Sequence, residues 1–363
     1  MEETLVHKKL FIPGPVEVSP DVLEKLSTPL IGHRTKEYSE LHARVRTQLQ
    51  RLLYTKNKVF LTTASGTGAM EACVRNCVAG KILCLICGEF GERWHEIAKV
   101  NGKETDALRV DLGKAIKPEM VQHALASGEY DAVALTHNET STGVMNPLPE
   151  IARVIQEFPE VVFMVDAVSS MGGVRIEVDQ WGIDVCLSST QKGFGLPPGF
   201  AVFSASDKAL RKAATVPNRG YYFDFLTIND YDGKDQTPTT PSLPHIFALD
   251  YQLDKWFNEG IERRFERHIQ MAQVCRQWAQ DRGFALFPEA GYESLTLTTV
   301  NNTRGINVSQ LNHELGKRGF MISAGYGRLK EQTFRIAHTG DITVDDLNEL
   351  LGVIDEILEH GNA

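Results

Sequence analysis

The segment DVCLSSTQKGFGLPPGF, residues 184–200, places Lys192 directly after an apolar run that ends in small hydroxylated residues. Gly193, Gly195, Pro197, Pro198 and Gly199 follow it and fix a stiff, uncrowded turn. A lysine in a turn is ordinarily a solvated surface charge. Two further segments change that expectation. Ser65-Gly66-Thr67-Gly68 follows the run KVFLTTA and opens a helical pattern. Free backbone N–H groups, hydroxyls and the helix dipole favour a phosphate at such a place. Asp166 ends the apolar run VVFMVD, where a carboxylate either caps the next turn of the chain or faces a cation as a buried anion. Residues 65–68 are not a P-loop, since no Lys-Ser or Lys-Thr pair comes after them. GFGLPPG fails as a dinucleotide fingerprint in both its glycine spacing and its two prolines.

A phosphate cradle, a carboxylate and a lysine at neighbouring strand tips match the needs of pyridoxal 5′-phosphate. The helix N-terminus takes the phosphate, the lysine forms the Schiff base, and the aspartate partners the pyridinium nitrogen. Lys192 must lose its proton to attack an aldehyde, so low polarity and nearby positive charge should depress its pKa.

The elements that position these groups can be read from periodicity. Apolar runs at 58–63, 81–87, 131–136, 161–166, 184–189 and 199–204 alternate with helical patterns at 67–78, 92–100, 117–127 and 147–158. Runs apolar throughout and joined by helices predict a mostly parallel sheet covered on both faces, with ligands beyond the carboxyl ends of its strands. The polar stretch NRGYYFDFLTINDYDGKDQTPTTP has no clear period and reads as a long loop. Two helices come next, over 245–258 and 261–283. Strand and helix patterns then alternate to a final helix from about 343. The expected organisation is a large α/β domain over 1–250 with an N-terminal arm, connecting helices over 251–283, and a small α+β domain over 284–363.

Hydrophobic residues at 42% and charged residues at 23% describe an ordinary soluble globular chain. The net charge of −9 is dispersed with no basic block, which argues against nucleic acid. No apolar run is long enough for a membrane span, and the acidic start MEETLVHKKLF does not resemble a targeting segment, so the cytoplasm is expected. Cys84 and Cys87 form a C-x-x-C with Cys73 and Cys77 upstream. Within the strand pattern KILCLICG the first two point to opposite faces, so core cysteines are expected rather than a zinc site.

Taken in order, FIPGP (11–15), IGHR (31–34), ASGTGAMEA (64–72), GEFGERW (88–94), HNETSTGV (137–144), VDAVSSMGG (165–173), WGIDVCLSSTQKG (181–193), LPPG (196–199) and FRIAHTG (334–340) cover nearly the whole chain. In this order and spacing the sequence resembles the class V aminotransferases of pyridoxal-phosphate fold type I, most of all the alanine–glyoxylate and serine–pyruvate aminotransferases. The resemblance implies a large domain with a mostly parallel, seven-stranded type of sheet. It makes Lys192 the Schiff-base lysine and Asp166 the pyridinium partner. Ser65, Gly66, Thr67 and Gln191 fall at the phosphate, Phe90 on the cofactor ring, and Thr140 near its phenolic oxygen. Gly14 and Arg335 fall at the substrate, with Arg335 on its α-carboxylate.

The resemblance also implies a homodimer in which Thr240 reaches the neighbouring subunit's phosphate. Thr237 or Thr239 stands where relatives often have a tyrosine. The implied reaction is ping-pong transamination between a small amino acid, alanine or serine, and a small 2-oxo acid, glyoxylate or pyruvate. Phosphoserine or aspartate as donor is the alternative, and would need a further cation, from Arg34, Arg219, Arg328 or Lys330. A cysteine desulfurase is disfavoured because no cysteine follows Cys275. A non-catalytic homologue would have no need of Lys192, Asp166 and Arg335 together. His137 and His338 are expected to be structural.

Overall fold

The computed structural model describes residues 7–359 and Gly361. Among them the strands are, in chain order, β1 (Lys9–Phe11), β2 (Lys58–Thr62), β3 (Lys81–Ile86), β4 (Glu104–Arg109), β5 (Ala132–Thr136), β6 (Asn138–Glu139) and β7 (Val144–Met145). They continue as β8 (Val162–Asp166), β9 (Val185–Ser189), β10 (Ala201–Ala205), β11 (Ala285–Leu286), β12 (Leu297–Asn301), β13 (Phe320–Ala324) and β14 (Thr333–Ala337).

Seven strands form one sheet in the order β2-β10-β9-β8-β5-β3-β4. Only β10 runs against its neighbours, antiparallel to both β2 and β9. The rest run one way, so the carboxyl ends of β2, β3, β5, β8 and β9 share one edge. Each continuous apolar run hides a period of two. Leu83 and Leu85 of β3 and Val133 and Leu135 of β5 enter one core, whereas Ile82, Cys84, Ile86, Ala132 and Ala134 enter the other. Helices Lys36–Leu52 and Leu243–Glu259 cover the first face, and helix Gly66–Cys77 covers the second through Met70, Cys73, Val74 and Cys77. Burying each large aliphatic side chain this way contributes about 1.5–3 kcal/mol, and burial on both faces explains why the strands read as apolar throughout.

A second sheet, β1-β13-β14-β12-β11, packs with helices Ile261–Asp281, Val308–Lys317 and Val344–Glu359 around a third core that includes Phe11, Phe334 and Ile336. Strand β1 pairs in parallel with β13, so the N-terminal arm supplies an edge of this smaller sheet. The arm then crosses toward the large sheet.

Several elements have no counterpart in the sequence reading, helices Lys36–Leu52 and Asp207–Thr215 among them, and two show the reason. Strand β4 has no counterpart among the apolar runs, because ETDALR is an edge strand with no fully buried residue. The stretch read as one long loop contains the helix Phe225–Asp232. Asp224 caps it by accepting from the Leu226 N–H, and Phe225 packs on Phe60 and Phe203. Two anchors in a polar background leave no readable period. All six cysteines are buried and unpaired, and Cys84 and Cys87 lie in opposite cores as their strand alternation predicts.

Candidate active site

The turn that carries Lys192 closes on itself. Thr190 N–H donates to the Phe200 carbonyl at 3.0 Å and its hydroxyl to the Pro197 carbonyl at 2.7 Å. The Leu196 and Gly195 N–H groups return to the carbonyls of Thr190 and Lys192. The glycines and prolines are thus the frame that points Lys192 away from β9. The N–H of Val16 donates to the Gln191 carbonyl, which brings the N-terminal arm onto this turn. Gly14 lies against the lysine itself: at its φ of +145° a Cβ would sit 2.7 Å from Lys192 Cδ and Cε. Burial pushes the Lys192 ammonium down to about 8, with the Asp166 carboxylate opposing that shift and the Arg335 guanidinium reinforcing it.

Asp166 ends β8 opposite Thr136 of β5 and is 4% exposed. It caps the turn that follows it. Its Oδ1 accepts from the Val168 N–H at 2.8 Å, and burial holds its carboxyl up at about 6.

Helix Gly66–Cys77 begins beside this pair, and Ser65 Oγ accepts from the Gly68 N–H at 3.3 Å. Phe90 lies on the helix Glu89–Val100, with the Lys192 Nζ 5.8 Å from its ring centre. The helix start is held by Glu139, fully buried, whose Oε2 accepts from the N–H groups of Phe90 and Gly91 and whose Oε1 accepts from Ser141. An anion at that end is favoured by the unpaired N–H groups and the helix dipole. Burial nevertheless raises the Glu139 pKa.

Arg335 comes from β14 of the smaller sheet, between Thr299 of β12 and Ser323 of β13. Its Nη1 donates to the Thr140 carbonyl at 2.9 Å, and Nε and Nη2 donate to the Ala324 carbonyl. Burial lowers it to about 10. Tyr326 bridges the two sheets, its ring 6.2 Å from that of Phe90 and 5.7 Å from the Arg335 guanidinium.

Ser65, Gly66, Thr67, Phe90, Asp166, Gln191 and Lys192 therefore line one cavity, together with Arg93 and Asn138. Thr140, Arg335 and Gly14 do not line it: the Thr140 carbonyl accepts from Arg335, and Gly14 lies against the Lys192 side chain. Thr240 is exposed on the surface, 3.5 Å from His33 Nε2, and is not part of the cavity of its own chain. Thr237 donates to the Thr239 carbonyl in the same loop. Of the cations considered for a second acid group, Arg219 is engaged by Asp224 and Arg34 by the carbonyls of Thr237 and Pro238. Besides Lys192, the cation that lines the cavity is Arg93, which donates to Thr67 Oγ1 at 3.2 Å and lies 4.7 Å from the Phe90 ring centre. Its spacing of three from Phe90 on one helix was the available signal. Glu139 offered none, because capping a helix about 50 residues away is visible only in three dimensions.

Four buried side-chain atoms in this cavity have no hydrogen-bond partner: Thr136 Oγ1, Asn138 Oδ1, Ser189 Oγ and Gln191 Oε1. Buried polar groups are normally paired, so this concentration marks a place built for a polar ligand. A helix N-terminus for a phosphate, an anion at the ring-nitrogen end, an aromatic face and an amine fit pyridoxal 5′-phosphate.

Residues 27–335 match the family model described as aminotransferase class-V. A Methanocaldococcus jannaschii protein named as an uncharacterized aminotransferase is 38% identical over 94% of this chain and 90% of its own. A Synechococcus protein named as the small subunit of a soluble hydrogenase is 34% identical over 96% and 92%, and the serine–glyoxylate aminotransferase of Methylorubrum extorquens is 31% identical over 95% and 89%. Among solved structures, the ureidoglycine–glyoxylate aminotransferase of Bacillus subtilis superposes with a TM-score of 0.92 at 27% identity, covering 100% of this chain and 96% of that one. The Thermus thermophilus aspartate aminotransferase of subgroup IV gives 0.90 at 28%, covering 97% and 99%. The chain is an aminotransferase of the class-V family, with the fold type I architecture.

Proposed function

We propose that this aminotransferase uses pyridoxal 5′-phosphate to move an amino group from a small amino acid, alanine or serine, to glyoxylate or pyruvate in a ping-pong cycle. The observation that carries the reading is the one cavity that brings Ser65, Gly66, Thr67, Phe90, Asp166, Gln191 and Lys192 together around four buried polar atoms without partners. Two of the similar proteins have glyoxylate in their names, which supports a small 2-oxo acid as acceptor.

Bound in the cavity, the cofactor supplies an aldehyde and an electron-withdrawing ring that acidifies the substrate Cα. The helix start at Ser65–Thr67 and the Gln191 side chain would hold its phosphate, and Asp166 would keep the ring nitrogen protonated. Phe90, aligned by the Glu139 cap, would lie on the ring face. Arg335 presents a planar fork suited to the substrate α-carboxylate. Its own hydrogen bonds to two carbonyls hold that fork still before substrate arrives. Lys192 then takes the Cα proton and returns it, a role suited to an amine with a pKa near the working pH. We place Thr240 at the phosphate of a second subunit in a homodimer, since it is exposed and outside its own cavity.

The test is the visible spectrum of the cofactor-loaded protein as single amino acids are added without any keto acid. Bleaching by alanine or serine, and not by aspartate or phosphoserine, is the expected result. Bleaching by aspartate or phosphoserine alone would overturn the donor assignment.

A further inference from the structure

The loops that follow β8, β9 and β14, next to Asp166, Lys192 and Arg335, converge on one buried cation. Arg264, on the long helix Ile261–Asp281, is 0% exposed. Its Nε donates to the Gly172 carbonyl at 2.7 Å, in the loop after β8. Its Nη2 donates at 3.0 Å to the carbonyl of Gly193, the residue after Lys192, and at 2.8 Å to the carbonyl of Gly340, in the loop after β14. Asp341 faces Nη1 at 3.4 Å, Glu259 lies at 3.5 Å, and the guanidinium lies 4.0 Å from the Trp256 ring centre.

The three loops also press on each other. A Cβ at Gly193 would lie 2.3 Å from the Met171 carbonyl oxygen. Asp341 extends the cluster to the N-terminal arm, accepting from Ser19 at 3.2 Å and Lys255 at 2.9 Å, while Lys255 also pairs with Asp21. A fully buried guanidinium is costly, and its expense is offset only when its donors are matched in a fixed plane. Here they are matched to the carbonyl one residue beyond Lys192 and to carbonyls six residues beyond Asp166 and five beyond Arg335, in the loops that leave those residues.

We propose that Arg264 is a positioning residue that holds the amine of Lys192, the carboxylate of Asp166 and the guanidinium of Arg335 in mutual register. It does so by clamping the carbonyls of Gly193, Gly172 and Gly340, with Asp341 as its anchor. The role rests on the reading of Lys192 as the cofactor lysine. A lysine at 264 keeps the charge but offers donors from a single point, which cannot serve three carbonyls in one plane.

The experiment compares wild-type and Arg264→Lys holoenzyme in three readouts: the kcat and KM split, the pH midpoint of the visible cofactor band, and the cofactor dissociation constant. Misplacement of the amine predicts a kcat loss of about 10²-fold and a moved band midpoint. It also predicts a donor KM several-fold higher through Arg335, at unchanged secondary structure. If Arg264→Lys does not fold, Gln252→Met removes a second buried side chain that donates from the connecting helices to this turn, at the Phe194 carbonyl, and should move the same readouts in the same direction. A folded variant whose kcat, KM and band midpoint match wild type, with only thermal stability lowered, would overturn the proposal. Absence of a visible band in wild type itself would instead overturn the underlying reading of Lys192.

Discussion

At the scale of single residues, the site is held under electrostatic tension. Asp166 titrates near 6 in the folded chain instead of 3.8 because it is buried. A carboxyl whose folded pKa is raised binds its proton more tightly folded than unfolded. It therefore costs nothing below about pH 3.8 and exacts its full penalty above about 6. Asp166→Asn removes that penalty and can keep the contact to the Val168 N–H. We predict that the apo variant is more resistant to urea by about 2 kcal/mol at pH 8, that the gain vanishes near pH 4, and that transamination is abolished. Equal apo stability at both pH values would show that Asp166 is not strained. Lys192 and Asp166 could both be found in the sequence, Asp166 because it ends an apolar run with a charge and Lys192 because a stiff turn of glycines and prolines follows it. Arg93 left only its spacing of three from Phe90 as a signal, and Glu139 left none, since the N–H groups it caps meet it only after helix and hairpin have packed.

At the scale of elements, the N-terminal arm does more than add β1 to the smaller sheet. It runs across the Lys192 turn, tied there by the Val16 N–H, and touches the lysine at the one position with no side chain. Gly14→Ala would put a methyl carbon where the lysine methylenes are, at a φ that costs an alanine about 1–3 kcal/mol. The expected outcome is a folded protein whose kcat falls about 10²-fold, measured together with circular dichroism. A kcat within twofold of wild type would mean that the arm does not constrain the lysine. The major elements were legible because burial on both faces writes strands as apolar runs and helices as stripes. The edge strand β4 and the helix Phe225–Asp232 were not, since one is half-wet and the other is anchored chiefly by Phe225 and Ile228. Arg264 reads in the sequence as one of several charges on a polar helix. Only the packing of three loops around it distinguishes it from Arg263 or Arg267.

At the scale of the whole molecule, the cavity lies where the carboxyl ends of the large sheet meet the smaller sheet. Asp166 and Lys192 line it from the large sheet, while Arg335, from the smaller sheet, reaches across to the Thr140 carbonyl without lining the cavity itself. Thr240 lies outside this meeting point, as does the loop bearing Tyr221, which is 90% exposed. Sedimentation equilibrium of the holoenzyme is expected to return twice the chain mass, and Thr240→Ala to weaken cofactor binding about tenfold through loss of a charge-assisted hydrogen bond. A monomer with unimpaired cofactor binding would contradict the shared-site arrangement. The central assignment is that Lys192 is the residue joined to the cofactor. Its most direct test is borohydride reduction of the holoenzyme, followed by proteolysis and mass spectrometry of the lysine-containing peptides. The expected result is a phosphopyridoxyl group on Lys192 and on no other lysine. The same group fixed elsewhere, or none fixed at all in cofactor-loaded protein, would contradict it.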